Sequence, residues 1–297
     1  MLTEFKQMNS AGAMALPEGL SPSQGLALLS LLADEDPAVY RPVREKIISC
    51  GPPAAEWLRP HTMSNDPALR RRAQEIVLHF DRQAADDHFL AFCLKHGEEL
   101  DLEQGALMLA QTRYPSINPE AYQALLDTHA GELRERIDFG SAPQEILGVV
   151  NRYLFDELGY AGNEQDYYDP ENSYLNCVMD RRTGNPINLC LVYILLARRL
   201  HLPVAGIGLP GHFICRYQST SAELYLDPFH HGKFLSKADC VQYLARGNFS
   251  VRDDYLTPVT PRRLLLRICG NLHQVYQRLE LAAEAMRLQR YLVALAR

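Results

Sequence analysis

A buried helix is predicted between Asn185 and Pro203. Asn185 is a favourable N-cap residue, and Pro186 suits the first helical position because the amide it lacks would be unpaired there anyway. Pro203 ends the segment. Apolar residues recur between these limits at helical spacing, at Leu189, Val192, Leu195, Leu196 and Leu200.

Strands are predicted directly after this helix. The apolar run over 204–208 is typical of a buried strand, an alternating pattern begins at His212, and the run over 224–226 predicts a further strand that ends at Asp227. If the last two strands are neighbours, an imidazole nitrogen of His212 should lie about 2.6–3.2 Å from the Asp227 carboxylate. Such a carboxylate fixes the imidazole tautomer and stabilises the imidazolium, as the base for a nucleophile requires.

Helical periodicity dominates the rest of the chain. In the N-terminal third, residues 36–48 align with residues 66–78, and each copy begins with an Asp that can cap a helix and a Pro at the first helical position. The pair resembles HEAT-type helical hairpins, which bury their apolar faces only by stacking. Arg70, Arg71 and Arg72 form either a solvated helix face or a docking site for an acidic partner. We expect these N-terminal helices to need cover from the rest of the chain.

The order of a helix, a strand with His and a strand with Asp is that of the transglutaminase-like and papain-like catalytic cores. Those cores carry Gly-x-Cys before an apolar helix that ends in Gly-Ile-Pro. This chain has Gly184-Asn185-Pro186 before its helix and His201-Leu202-Pro203 at the end. A thiol at a helix N-terminus has a lowered pKa and is a good nucleophile. The resemblance therefore implies a hydrolase scaffold with Pro186 at the position of the usual nucleophile.

Three stretches, over residues 166–189, 209–213 and 226–229, resemble the SirB-type bacterial proteins. The likeness extends over roughly residues 85–297. It implies a cytoplasmic bacterial protein with a regulatory association, a helical N-terminal region and a tetratricopeptide-like C-terminal segment. The fold class it implies is α+β, mainly helical, with a central helix packed on a small antiparallel sheet.

These patterns predict four parts of the chain. We expect a flexible tail over 1–23, HEAT-like hairpins over 24–84, a transglutaminase-like core over 85–255 and a tetratricopeptide-like helical pair over 256–297.

Composition narrows the choice of partners and compartment. The 297 residues carry a formal net charge of -6, which gives no electrostatic case for nucleic acid. No apolar run approaches the ~20 residues needed to span a membrane, and residues 1–23 lack the apolar core of a secretory signal. The seven cysteines are scattered without Cys-x-x-Cys spacing, as in reduced cytosolic proteins. We expect a cytoplasmic protein with a protein or peptide partner and no cofactor.

The candidate site residues follow from position. His212 and Asp227 are the candidate catalytic pair, and Cys190, one turn beyond Pro186, is the first thiol to consider as a replacement nucleophile. His230 and His231 are expected to lie in a surface loop without a metal, since two adjacent rings lack further ligands. The candidate lining of the cleft is Tyr167, Asp169, Asn172 and Asn188.

Two functions remain open from the sequence. The first is a non-catalytic or weakly catalytic protein that uses the papain-like cleft and the helical surfaces for binding in a regulatory role, which the missing cysteine favours. The second is an amide hydrolase or acyl transferase that uses His212 and Asp227 with Cys190 or an activated water, which the retained His-Asp order favours.

Overall fold

The computed structural model describes residues 16–17, 20–246 and 253–297. The tail predicted over 1–23 lies largely outside these residues. The chain divides into two compact units, Met1–Asp86 and Asp87–Arg297.

The first unit is built from helices around a small apolar core. Asp36 caps helix α2 by accepting a hydrogen bond from the Ala38 amide, as the repeat predicts. In the second copy of the repeat, Asp66 likewise accepts from the amides of Ala68 and Leu69, but the helix that follows is much longer than its counterpart. The helices are α1 (Pro22–Leu32), α2 (Pro37–Ser49), α3 (Pro53–Leu58) and the start of α4 (Pro67–Lys95).

The three arginines after Asp66 do not form one exposed basic patch. The Arg72 side chain is buried, donates hydrogen bonds to the carbonyls of Leu32 and Asp34, and stacks 3.7 Å over the Tyr40 ring. Arg70 donates to the Ser64 carbonyl at 2.7 Å. The three residues therefore form neither a shared docking site nor a shared solvated face, because Arg70 and Arg72 donate to backbone carbonyls and only Arg71 is exposed.

The second unit combines helices with a four-stranded antiparallel sheet of order β3-β4-β5-β6. It agrees with the predicted α+β class. Its helices are α5 (Leu102–Gln111), α6 (Pro119–Arg136), α7 (Pro143–Asn151), α8 (Leu175–Arg181), α9 (Pro186–Arg199), α10 (Lys237–Arg246), α11 (Pro261–Arg278) and α12 (Ala282–Leu295). The strands are β1 (Ala161–Gly162), β2 (Thr183–Gly184), β3 (Val204–Leu209), β4 (His212–Gln218), β5 (Glu223–Asp227) and β6 (Lys233–Leu235).

Helix α9 lies at the centre of this unit. The Asn185 side chain caps it by accepting from the Asn188 amide at 3.0 Å, and Pro186 is its first residue. All residues from Pro186 to Ala197 are buried, and the helix contacts β3 and β4 of the sheet. A helix that is apolar on every face needs packing partners all round it. The packing around α9 therefore fixes the position of its N-terminus.

Helices α11 and α12 pack against each other at the end of the chain. Both lie within residues 256–297, where a helical pair is predicted. Among the described helices, none combines the length and hydropathy needed to cross a membrane.

Candidate functional site

His212 and Asp227 lie at facing ends of two paired strands. His212 is the first residue of β4 and Asp227 is the last of β5, and these strands are antiparallel neighbours. The His212 Nε2 atom lies 2.7 Å from Asp227 Oδ2. Their side chains are only 12% and 7% exposed. The separation agrees with the hydrogen bond predicted from the order of the strands.

The Asp227 carboxylate is held by both of its oxygens. Oδ1 accepts hydrogen bonds from the amides of Phe229 and His230, while Oδ2 lies within hydrogen-bonding distance of the His212 and His230 rings. Burial acts to raise the pKa of Asp227, but the hydrogen bonds and charges of His212 and His230 outweigh it, so the net pKa lies below its usual value. The carboxylate is therefore ionised at neutral pH and orients two imidazoles.

A cavity of about 490 Å³ opens at the N-terminus of α9 and includes the His212 side of this pair. Pro186 lines it, at the helix position where the resemblance implies a nucleophile. The remaining wall comes from the loop before α8, the β3–β4 turn and helix α11. It consists of Tyr167, Tyr168, Asn185, Ile187, Gly211, His212, Phe213, Arg267, Gly270, Asn271, Gln274 and Val275.

Arg267 braces the backbone of this site. Its Nη2 atom donates to the carbonyl of His212 at 2.7 Å and also to that of Leu209. Burial lowers the pKa of Arg267, and among the described residues no carboxylate forms an ion pair with it. The guanidinium thus places a positive charge on the cavity wall while holding the turn that positions His212.

Cys190 does not reach the cavity, so the hypothesis of a replacement nucleophile is wrong. The residue is fully buried, and its Sγ atom donates to the Phe213 carbonyl at 3.5 Å. Burial, reinforced by the neighbouring Cys215, raises its pKa well above the usual value. The thiol is therefore protonated and lies between α9 and β4, because one further turn of the helix carries it into the core.

Of the four residues predicted to line the cleft, only Tyr167 does so. Asn172 and Asn188 are buried, each 1% exposed. Asn172 donates to the Asp166 carbonyl at 2.8 Å, and Asn188 donates to Asn185 Oδ1 at 3.1 Å. Both therefore stabilise the loops behind the cavity wall.

Asp169 is the fourth predicted lining residue, and it also lies away from the cavity. It accepts from the Glu171 amide at 2.9 Å and pairs with Arg181 at 2.7 Å. It therefore caps the 3₁₀ turn Pro170–Ser173. The N-cap residue of the next helix, α8, is Tyr174.

The site contains residues that the sequence did not indicate. His230 Nδ1 lies 2.8 Å from Asp227 Oδ2, in the 3₁₀ turn Pro228–His230 that follows β5. The three-residue spacing between Asp227 and His230 is the feature of the sequence that could indicate this contact. It does so only when His212 is known to contact the same carboxylate. Arg267, Asn271 and Gln274 were missed because α11 comes from a distant part of the sequence.

Comparison with known proteins decides the family. The sequence profile of the transglutaminase-like superfamily matches residues 120–270, just over half of the chain. The chain belongs to the transglutaminase-like superfamily. The matched residues include Pro186, His212, Asp227 and Arg267, whereas Asn271, Gln274 and Val275 of the cavity wall lie just beyond the match. No solved structure gave a match.

Relatives within this superfamily occur in bacteria and in animals. A UPF0162 protein of Xylella fastidiosa is 40% identical over 186 residues, which cover 60% of this chain and 66% of the relative. A UPF0162 protein of Pseudomonas aeruginosa is 30% identical over 179 residues, covering 59% and 64%. The F-box only protein 21 of Homo sapiens is 34% identical over 137 residues, covering 43% and 21%. The chain thus spans just under two thirds of the bacterial relatives and about a fifth of the human one.

Proposed function

We propose that this chain is a binding protein of the transglutaminase-like superfamily, in which the cavity at the N-terminus of α9 holds a segment of a polypeptide partner. The observation that carries this proposal is Pro186, which lines the cavity at the first helical position. Proline offers no nucleophilic atom, so no acyl-enzyme can form there. The proposal includes two further features that the resemblance implies. They are a regulatory role in the cytoplasm and the papain-like packing of the core.

The distribution of thiols supports this reading. Cys93, Cys177, Cys190, Cys215, Cys240 and Cys269 are all buried. None of these six residues lines the cavity. Among its described residues, the second unit therefore offers no thiol on the wall of this cavity; Cys240 lines a separate cavity with His212 but is buried.

The cavity wall suits a polypeptide with an acidic group. Tyr167 and Tyr168 are 40% and 46% exposed and offer amphipathic ring surface, as recognition sites commonly do. Asn271 and Gln274 carry side-chain amides that can pair with a peptide backbone. The positive charge of Arg267 and the N-terminus of α9 both favour an anion.

Selection from a random peptide library would test the proposal. The structure offers a matched pair of variants on α11: Gln274 is exposed and lines the cavity, whereas Gln277 is exposed and does not line it. Peptides selected on the natural chain should contain an acidic residue. They should bind Gln274→Trp at least about tenfold more weakly, since the indole fills the cavity mouth, and bind Gln277→Trp as before. Fluorescence polarisation measures both affinities.

Two results would contradict binding in this cavity. One is that no peptide is selected, and the other is that the selected peptides bind the two tryptophan variants equally well.

The hydrogen bond between His212 and Asp227 favours a second candidate, amide hydrolysis by an activated water. His212 would take a proton from water as its oxygen attacks the amide carbon, and would return that proton to the leaving amine. Ammonia or amine release from glutamine-containing peptides that is lost in His212→Ala would support this candidate over binding alone.

A further inference from the structure

We propose that His212, Asp227 and His230 form a binding site for a divalent transition-metal ion, with Zn²⁺ as the best chemical fit. One ligand atom from each residue lies within 4.8 Å of the other two. The metal site can exist whether or not the cavity binds a peptide. The ion would lie on the side of the His212 ring that faces Asp227 and His230.

The donor set selects the class of metal. Two imidazole nitrogens and one carboxylate oxygen are ligands that Zn²⁺ and its neighbours in the first transition series prefer, whereas Mg²⁺ and Ca²⁺ prefer oxygen alone. In the sequence, the adjacent residues His230 and His231 provide too few ligands for a metal ion. The fold supplies the missing ones from the ends of β4 and β5.

The ligand atoms are close to the spacing that an ion requires. His212 Nε2 and His230 Nδ1 lie 2.7 and 2.8 Å from the same oxygen, Asp227 Oδ2. Bonds of ~2.0–2.1 Å in a tetrahedral site would separate the ligand atoms by about 3.3 Å. Each nitrogen therefore has to move away from the oxygen by roughly 0.6 Å when an ion binds.

Surrounding hydrogen bonds already orient two of the three ligands. The amides of Phe229 and His230 donate to Asp227 Oδ1, so the other oxygen is directed at the imidazoles. Arg267 holds the carbonyl of His212 at 2.7 Å. Such outer contacts fix the ligand geometry of metal sites before the ion arrives.

The site is open on one side. The His230 side chain is 52% exposed. A second cavity, of about 630 Å³, is lined by all three ligands together with Lys233, Asp239 and Tyr243. An ion bound here would have three protein ligands and room for a water or another small ligand, as zinc ions in catalytic sites do.

Metal titration of the full chain without a histidine tag tests this site. Equilibrium dialysis against Zn²⁺ should show one ion per chain. Co²⁺ as a spectroscopic probe should give visible ligand-field bands without the near-ultraviolet band of a cobalt–thiolate bond, because no cysteine belongs to the cluster. Stoichiometric binding that shows the thiolate band, or the absence of a one-to-one site, would overturn the proposal.

Two neighbouring histidines provide a matched pair of variants. His230 belongs to the cluster, whereas His231 does not and has a left-handed backbone, φ 54, that Asn tolerates. His230→Asn should weaken Zn²⁺ binding by about 100-fold, since even outer contacts contribute about 10- to 100-fold. His231→Asn should leave it unchanged. Circular dichroism checks that both variants fold, and equal affinities in the two would contradict the assignment of His230.

Discussion

At the scale of single residues, a proline lies where the resemblance to transglutaminase-like cores implies a cysteine nucleophile. Pro186 holds the helix position that lines the cavity beside His212, while Cys190 lies one turn further along and is fully buried. Burial raises the pKa of Cys93 to about 12 and that of Cys240 to about 11. Cys93, Cys190 and Cys240 are thus both shielded and protonated at neutral pH.

Alkylation of the native chain with iodoacetamide should reflect this protonation. A raised pKa keeps a thiol neutral until the pH approaches the raised value, so the buried cysteines with a raised pKa should stay unreactive from pH 7 to 9. These are Cys93, Cys177, Cys190, Cys240 and Cys269. The partly exposed Cys50 should be the first to react. Mass spectrometry of peptides identifies the labelled positions. Rapid labelling of Cys190 near pH 7 would contradict the structure.

Single-residue predictions succeeded where the relevant contact is local. Asn185 as a cap follows from its place before Pro186, and the His212–Asp227 contact follows from the order of two adjacent strands. The roles of Arg267 and His230 could not be predicted in this way. Each depends on residues brought together by the fold, from α11 in one case and from two strand ends in the other.

At the scale of elements, periodicity predicted the long segments and failed at the short ones. Helix α9 and strands β4 and β5 have clear apolar patterns, and their bounds agree with the sequence. Helix α7 continues into a π-helical turn at Arg152–Glu157, a change of hydrogen bonding that apolar periodicity does not indicate. Strands β1 and β2 have two residues each, too few for any pattern, and exist because they pair with each other.

At the scale of the whole molecule, one buried arginine joins distant parts of the second unit. Arg262, at the start of α11, is 7% exposed. Its guanidinium donates to the carbonyls of Cys93 and His96 at the end of α4, and to those of Ala294 and Leu295 at the end of α12. It thus pairs carbonyls at two helix C-termini that otherwise lack partners.

Replacement of this arginine should destabilise the chain strongly. Arg262→Met keeps an unbranched apolar stem but leaves buried carbonyls without donors, and should lower the free energy of unfolding by about 3 kcal/mol or more. The neighbouring Arg263 is exposed, so Arg263→Met is the matched control and should change stability by less than about 0.5 kcal/mol. Urea denaturation measures both, and similar losses in the two variants would contradict a structural role specific to Arg262.

The most direct test of the account is to place a thiol at the position of Pro186. Residue 186 lines the same cavity as His212. By the resemblance to transglutaminase-like cores, it occupies the position of the nucleophile. In Pro186→Cys the new thiol should therefore react with iodoacetamide at pH 7 about tenfold or more faster than any thiol of the natural chain, because a helix N-terminus and an adjacent imidazole lower its pKa. The gain should be lost when His212→Ala is added. A thiol at position 186 that reacts slowly, or at a rate independent of His212, would contradict the account.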